Sequence, residues 1–315
     1  MPLSRVVVTA PATTANMGPG FDVFGLALEQ PEDKVTLLPI PKGIEIEITG
    51  LWSVKKTLAP EKSPPGIVAR QIMRAFSLKT GVRIRIEKGI LPGIGLGSSA
   101  ASAAAVAYGL NRLFDLKLDN RRLIQFAAKG EVATAGFEHA DNVSAAICGN
   151  FVVIKSYNPL EIVNLEAPED MQVCVAYPHL ETPSNKTAQA RLVVPKQISI
   201  DKLVYNVGRA AALAIGFATG NVDLIGSSMS DAVVEPARAF LIPGYEKVRS
   251  NALKAGACGV AISGAGPAMI GIVNRKKADT TKVARAMKEG FESVGLEATA
   301  YNTKPGKGVQ LMEMN

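Results

Sequence analysis

The sequence predicts an α+β chain of two packed domains, and three observations carry that expectation. Short Val-, Ile- and Thr-rich strands are interspersed with helices, and the C-terminal half closes on a β-α-β-β-α-β order. The length, 315 residues, exceeds one small core when a typical domain holds roughly 100 to 200 residues. An apolar share of 47% beside 20% charged residues lets such a chain bury a sizeable core, and no polar tract marks disorder.

Residues 5–9, 33–38 and 44–49 are predicted strands, with Ile44, Ile46 and Ile48 alternating with Glu45 and Glu47 on a sheet whose other face is wet. Ile67, Ile72, Met73 and Phe76 recur near helical spacing, which predicts a helix over 66–79. Val82, Ile84 and Ile86 alternate with Arg83, Arg85 and Glu87 as a half-exposed strand, followed by a glycine-rich loop and an alanine-rich helix over 98–114. Small residues let that helix lie close against a sheet. Helices at 119–135 and 139–147 lead to a strand at 151–155. The acids around Pro168 in 164–170 mark a linker, dividing the chain into 1–166 and 167–315. Beyond it come a strand at 172–177, helices between 185 and 230, a helix at 245–255, strands at 258–262 and 268–273, a helix at 279–293 and a strand at 296–301. With the early helices taken as insertions, this is a ferredoxin-like sandwich.

The net charge of +7 does not indicate nucleic acid, because basic residues are spread out and interleaved with acids; it favours small anionic ligands. Cys148, Cys174 and Cys258 are far apart in apolar segments, with neither disulfide nor metal-ligand spacing, and are expected to be reduced thiols of a cytoplasmic protein. No charged-then-apolar leader and no apolar run of about 18 residues is present, so neither secretion nor a membrane partner is expected.

Pro92-Gly93-Ile94-Gly95-Leu96-Gly97-Ser98-Ser99 joins a strand to a helix. Its glycines let backbone N–H groups approach a ligand, and the helix N-terminus that follows favours phosphate. Ser98 and Ser99 add hydroxyls able to cap the helix or reach a metal. The plain alternative is a flexible turn with a serine cap. The lysine of a P-loop is missing, and the protein-kinase motifs are absent. A dinucleotide turn is disfavoured because Ser98 takes the third glycine position and no acid follows at a strand end.

Two further motifs accompany this loop, Pro11-Ala12-Thr13-Thr14-Ala15-Asn16-Met17-Gly18-Pro19-Gly20-Phe21-Asp22 and Ser263-Gly264-Ala265-Gly266-Pro267-Ala268. In order and spacing the three resemble the GHMP kinases, which phosphorylate small alcohols, over nearly the whole chain. The first motif, with His139-Ala140-Asp141-Asn142 and Glu235-Pro236-Ala237-Arg238, is most similar to the homoserine kinases among them. The resemblance implies a ribosomal-protein-S5-like N-terminal domain with a left-handed βαβ crossover, a ferredoxin-like C-terminal domain, a cleft between them, and a homodimer. It implies ATP on Pro92 to Ser99 with Ala100 and Ala101, Lys88 on the nucleotide side, and Mg²⁺ at Ser99 and Glu131.

For L-homoserine the resemblance points to Asn16, Asp22, His139, Asn142, Thr187, Arg191 and Arg238, and charge agrees with it. A carboxylate such as Asp22 meets an ammonium, while two arginines grip a carboxylate. Each has a plainer reading: Arg238 paired with Glu235 at i, i+3, Arg191 and Glu131 solvated, His139 a cap or core residue. Some GHMP kinases use an aspartate base beside a lysine, whereas the homoserine kinases carry an asparagine there. Asp141 and Asn142 are neighbours, and Asn142 is favoured as the group that positions the hydroxyl.

Departures from the pattern are Met17 in place of a leucine, Asn150 after Gly149 in place of a second glycine, and Ser63-Pro64 where an asparagine-containing turn often lies near the purine. The last leaves the base contacts open. Competing expectations are a GHMP kinase for mevalonate or shikimate, and a silent metabolite-binding regulator of the same fold.

Overall fold

The computed structural model describes residues 4–50, 56–135, 139–181, 183 and 186–315. The chain opens with β1 (Val6–Asn16) and β2 (Gly20–Ile40), a long antiparallel hairpin, then β3 (Ile44–Gly50), β4 (Lys56–Thr57), α1 (Pro64–Ala75) and β5 (Gly81–Lys88). Three helices follow, α2 (Ser98–Leu113), α3 (Asn120–Ala135) and α4 (Asp141–Cys148), and then the hairpin β6 (Phe151–Tyr157) and β7 (Leu160–Leu165). The second half comprises β8 (Met171–Pro178), α5 (Lys186–Leu192), α6 (Ile200–Ala218), α7 (Val222–Ser227), α8 (Val234–Arg238), α9 (Tyr245–Lys254), β9 (Gly259–Ile262), β10 (Met269–Asn274), α10 (Thr280–Glu292), β11 (Ala298–Thr303) and β12 (Gln310–Met314).

The first sheet runs β12-β1-β2-β5-β3-β4, with β6 paired to β2 and β7 to β6. β3 and β5 pair in parallel, with α1 lying between them in the chain, so the expected βαβ unit is present. Ala100, Ala101 and Ala103 to Ala107 of α2 are all fully buried, and it is their small size that lets the helix settle on β1 and β2. The second sheet, β11-β8-β10-β9, is antiparallel throughout. That order is the one a ferredoxin-like sandwich requires, with α9 and α10 as its two helices and α5 to α8 inserted before α9.

Three features depart from the sequence expectations. β1 and β2 far outrun the strands at 5–9 and 33–38: every residue of β1 is buried, so no alternation marks it, and Pro11 reads locally as a breaker. β7 reaches into the stretch expected to be a linker. β12, which the sequence division puts with the second unit, crosses back and pairs antiparallel with β1. Residue 185, where the inserted helices were expected to begin, lies outside the described residues.

Candidate active site

Hydrogen bonds sew the three motifs into one wall. The Thr13 N–H donates to the Leu96 carbonyl at 3.1 Å and the Ala268 N–H to the Ile94 carbonyl at 2.9 Å. The Ser263 hydroxyl donates to the Gly95 carbonyl at 2.7 Å and lies 2.9 Å from the Thr14 hydroxyl. Gly97 has φ +65°, and a Cβ there would fall 1.9 Å from the Thr13 hydroxyl oxygen. A glycine is therefore required for the loop to lie this close to the first motif.

A cavity of about 550 Å³ opens in front of this wall. Of the sequence-predicted residues, Asn16, Asp22, Lys88, Pro92, Gly93, Gly95, Gly97, Ser98, Ser99, Glu131, His139, Asp141, Asn142, Thr187, Arg191 and Arg238 all line it. Ile94, Leu96, Ala100 and Ala101 do not: their side chains are buried in the core, so only their backbone can serve a ligand. One end, walled by Ile48, Leu58, Pro64, Pro65 and Ile86, is apolar.

Lys88 lines the cavity, but its charge is spent on the frame of the loop. Its ammonium is turned beneath the loop, donating to the Asp33 carboxylate, to the Ser98 carbonyl at 2.9 Å and to the Ser102 hydroxyl at 3.1 Å. Asp33 is fully buried and also accepts the Gly89 and Ile90 N–H groups at 3.2 and 3.1 Å. Burial pulls the Lys88 pKa down and Asp33 opposes it. The pair is a buttress that fixes β2, β5 and the start of α2 together. Removing one partner strands a buried charge, so Asp33→Asn is expected to lower the unfolding free energy by about 3 kcal/mol in urea melts at pH 7. Ser98 is likewise a frame residue, its hydroxyl donating to the Ile90 carbonyl at 3.0 Å.

Ser99 and Glu131 do meet, the hydroxyl donating to the carboxylate at 3.2 Å. Burial pushes the Glu131 carboxyl up to about 7; the Ser99 bond opposes this and the Asp141 charge adds to it. Two hard oxygen donors side by side in the cavity lining suit Mg²⁺, which takes one or two protein ligands and completes its shell with water and phosphate. At the head of α4 the Asp141 carboxylate accepts the Asn142 backbone N–H at 2.7 Å and its side-chain N–H at 3.2 Å. Burial pushes the Asp141 pKa up. The Asn142 carbonyl oxygen accepts the Thr13 hydroxyl at 2.8 Å, which leaves one amide N–H for the cavity.

The far end is charged. The Arg191 guanidinium makes a two-pronged contact with the Asp22 carboxylate, and His139 Nδ1 lies 3.4 Å from Asp22. Burial pushes the Asp22 pKa up, but bonds and charge from His139 and Arg191 outweigh it and hold it below the ordinary range. Arg238 does not pair with Glu235. It donates to the Ala190 and Gly264 carbonyls, both at 2.9 Å, while Glu235 accepts the Ile262 N–H and the Tyr245 hydroxyl. The Phe21 ring takes both guanidiniums, at 5.0 Å from Arg191 and 5.1 Å from Arg238. Asn16, at φ +71°, bonds the Gly264 carbonyl at 2.9 Å and accepts the Asp22 N–H at 3.1 Å, so it shapes this end. Thr187 lines it from the first turn of α5.

Sequence reasoning missed Thr13, Asp33, Phe21 and Lys186. Thr13 and Phe21 lay inside a motif already singled out. Asp33 and Lys186 carried no local signal, since each acts through a partner remote in sequence.

The family models agree with this geometry: that for the GHMP kinases N terminal domain matches residues 65–150 and that for the GHMP kinases C terminal domain matches 211–293. The chain is 40% identical to a homoserine kinase of Methanococcus vannielii, over 99% of this chain and all of that one. It is 44% identical to a homoserine kinase of Natronomonas pharaonis, over 97% of this chain and 99% of the other. A solved homoserine kinase from Cytophaga hutchinsonii superposes with a TM-score of 0.89 at 36% identity, covering 98% of both chains. Mevalonate diphosphate decarboxylase from Staphylococcus aureus shares the fold alone, with a TM-score of 0.71 at 13% identity. Identity at this level along the whole length means that the chain belongs to the homoserine kinase family of the GHMP kinases.

Proposed function

We propose that the protein transfers the γ-phosphoryl group of ATP to the side-chain hydroxyl of L-homoserine, giving O-phospho-L-homoserine on the route to threonine. The observation that carries the acceptor is the charged end of the cavity, where a carboxylate and two guanidiniums converge on Phe21. A zwitterion answers both signs: its ammonium meets Asp22 and its carboxylate meets Arg191 and Arg238. Mevalonate lacks the ammonium, galactose has neither charge, and shikimate has only the carboxylate.

ATP then lies with its base at the apolar end and its phosphates on the backbone of Gly93 to Ser99. Pro64 and Pro65 wall that end, while the Ser63 hydroxyl beside them is buried, does not line the cavity and has no protein partner among the described residues. Mg²⁺, held by Ser99 and Glu131, would neutralise charge on the transferred oxygens. The acceptor oxygen forms its bond to phosphorus as the bond to the β-phosphate oxygen breaks, and the proton passes to phosphate or solvent. Asn142 holds the hydroxyl in line. A coupled ADP-release assay across homoserine, mevalonate, shikimate and galactose tests the reading, and no turnover with homoserine would sink it.

A cytoplasmic homodimer completes the proposal. Three free cysteines suit a reducing compartment. No helix among the described residues is long and apolar enough to cross a membrane. Ile200, Val204, Val207 and Ile215 on α6 are 54 to 72% exposed along one stretch of helix, an apolar face suited to a second copy. The double variant Val204→Glu/Val207→Glu is expected to run as a monomer in light scattering, and an unchanged dimer would retire α6 as the contact.

A further inference from the structure

We propose that Lys186 is a further cation of the transfer site, reaching the oxygens of the migrating phosphoryl group when the nucleotide is bound. The inference rests on the kinase reading above. Its first support is position. The Lys186 ammonium lines the same cavity as Gly95, Ser99 and Asn142 and donates to the Gly266 carbonyl. That carbonyl packs on the phosphate loop, only 2.8 Å from where a Cβ on Gly95 would be. Thr187, the next residue along α5, faces the acceptor end. Lys186 therefore stands where the phosphate loop and the acceptor end meet.

The second support is an unbalanced charge. Among the described residues Lys186 has no carboxylate partner; its one hydrogen bond is to a neutral carbonyl, and the charge that acts on it is the repelling guanidinium of Arg238. A cation stripped of water, beside a like charge and without a counter-ion, is costly unless an anion arrives. Burial first and Arg238 second pull its pKa down to about 7. The other cations of the site serve elsewhere: Lys88 is held by Asp33 beneath the loop, and Arg191 and Arg238 stand at the acceptor end for the substrate carboxylate. Arg238 is held by the Ala190 and Gly264 carbonyls at the acceptor end. Lys186 is thus the cation placed to exchange a backbone carbonyl for a phosphoryl oxygen.

The charged groups lining this space are Arg238 from α8, Glu131 from α3, Asp141 from α4, Lys88 from β5, bound to Asp33, and Asp22, His139 and Arg191 at the acceptor end; the glycine-rich and third-motif loops present no charged side chain. Phosphate binding raises the Lys186 pKa, so binding near pH 7.5 draws a proton from solution. Glu131 and Asp141 shift in the opposite sense when a cation approaches, and the reading is therefore the difference between wild type and Lys186→Met.

The experiment is calorimetric titration of a non-hydrolysable ATP analogue with Mg²⁺, at pH 7.5 in two buffers of different ionisation heat, on wild type, Lys186→Met and Lys186→Arg, with steady-state kinetics on the same samples. Wild type should take up a sizeable fraction of a proton more than Lys186→Met. The methionine variant should lose about 10- to 100-fold in kcat with the homoserine KM little changed, and the arginine variant should recover part of it. Equal proton uptake in wild type and Lys186→Met, an unchanged kcat, or a loss confined to the homoserine KM would each overturn the assignment. Failure of wild type to turn over homoserine would instead strike the proposed acceptor, while nucleotide-linked proton uptake would still decide the role of Lys186.

Discussion

Asn142→Ala is expected to lower kcat by about 100- to 1,000-fold, as loss of a preorganised donor at a reacting oxygen does, while both KM values change by about threefold or less. The reason lies in how completely the amide is fixed. Its oxygen is held by the Thr13 hydroxyl at 2.8 Å, and one N–H is held by Asp141 at 3.2 Å. The remaining N–H faces the cavity with no freedom to turn, so it meets an acceptor hydroxyl in one orientation only. Truncation removes that restraint from the oxygen that must lie in line with the γ-phosphorus. Asp141→Asn is the control. A side-chain oxygen remains to accept the Asn142 N–H groups, so the change in kcat should stay within about tenfold. A collapse in Asp141→Asn, with folding and ATP affinity intact, would make Asp141 the base and remove Asn142 from that role.

The legible parts of the molecule share a physical property, in that their signal is local. β5 alternates because one face is wet, and the loop after it declares itself through glycines next to a helix start. The second sheet was legible from its order of elements because β8, β9 and β10 are short, apolar and bounded by turns. β1 and β12 were not. β1 is buried on both faces, and β12 is an exposed edge strand whose only cause is pairing with the opposite end of the chain.

The same distinction runs through the site. Asp22, His139 and Asn142 stood in motifs whose resemblance named them, and the fold brings them to one cavity. Lys88 was legible as important but not in its direction: the partner that turns it under the loop is Asp33, fifty-five positions away along the chain. Lys186 was illegible for a related reason, because a lysine in a polar stretch is ordinarily solvated. Only the fold brings the Gly266 carbonyl and the Arg238 charge against it.

Arg238→Met is expected to raise the homoserine KM by about 100-fold, the loss of a charge-assisted contact in a desolvated pocket, with the ATP KM unchanged. Arg238 is buried, 5% exposed, and its guanidinium contacts neutral partners only: the Ala190 and Gly264 carbonyls and the Phe21 face. Asp22 is occupied by Arg191, so a carboxylate entering the cavity finds in Arg238 a cation with no carboxylate of its own. Methionine retains most of the buried volume and the contact with Phe21, which separates loss of charge from loss of packing. Lysine should restore little, because it cannot hold two carbonyls and a carboxylate in one plane. The decisive comparison is between homoserine and an analogue in which the carboxylate is replaced by a neutral amide. Wild type should discriminate strongly against the amide and Arg238→Met should not; equal discrimination in both would move the carboxylate contact from Arg238 to Arg191.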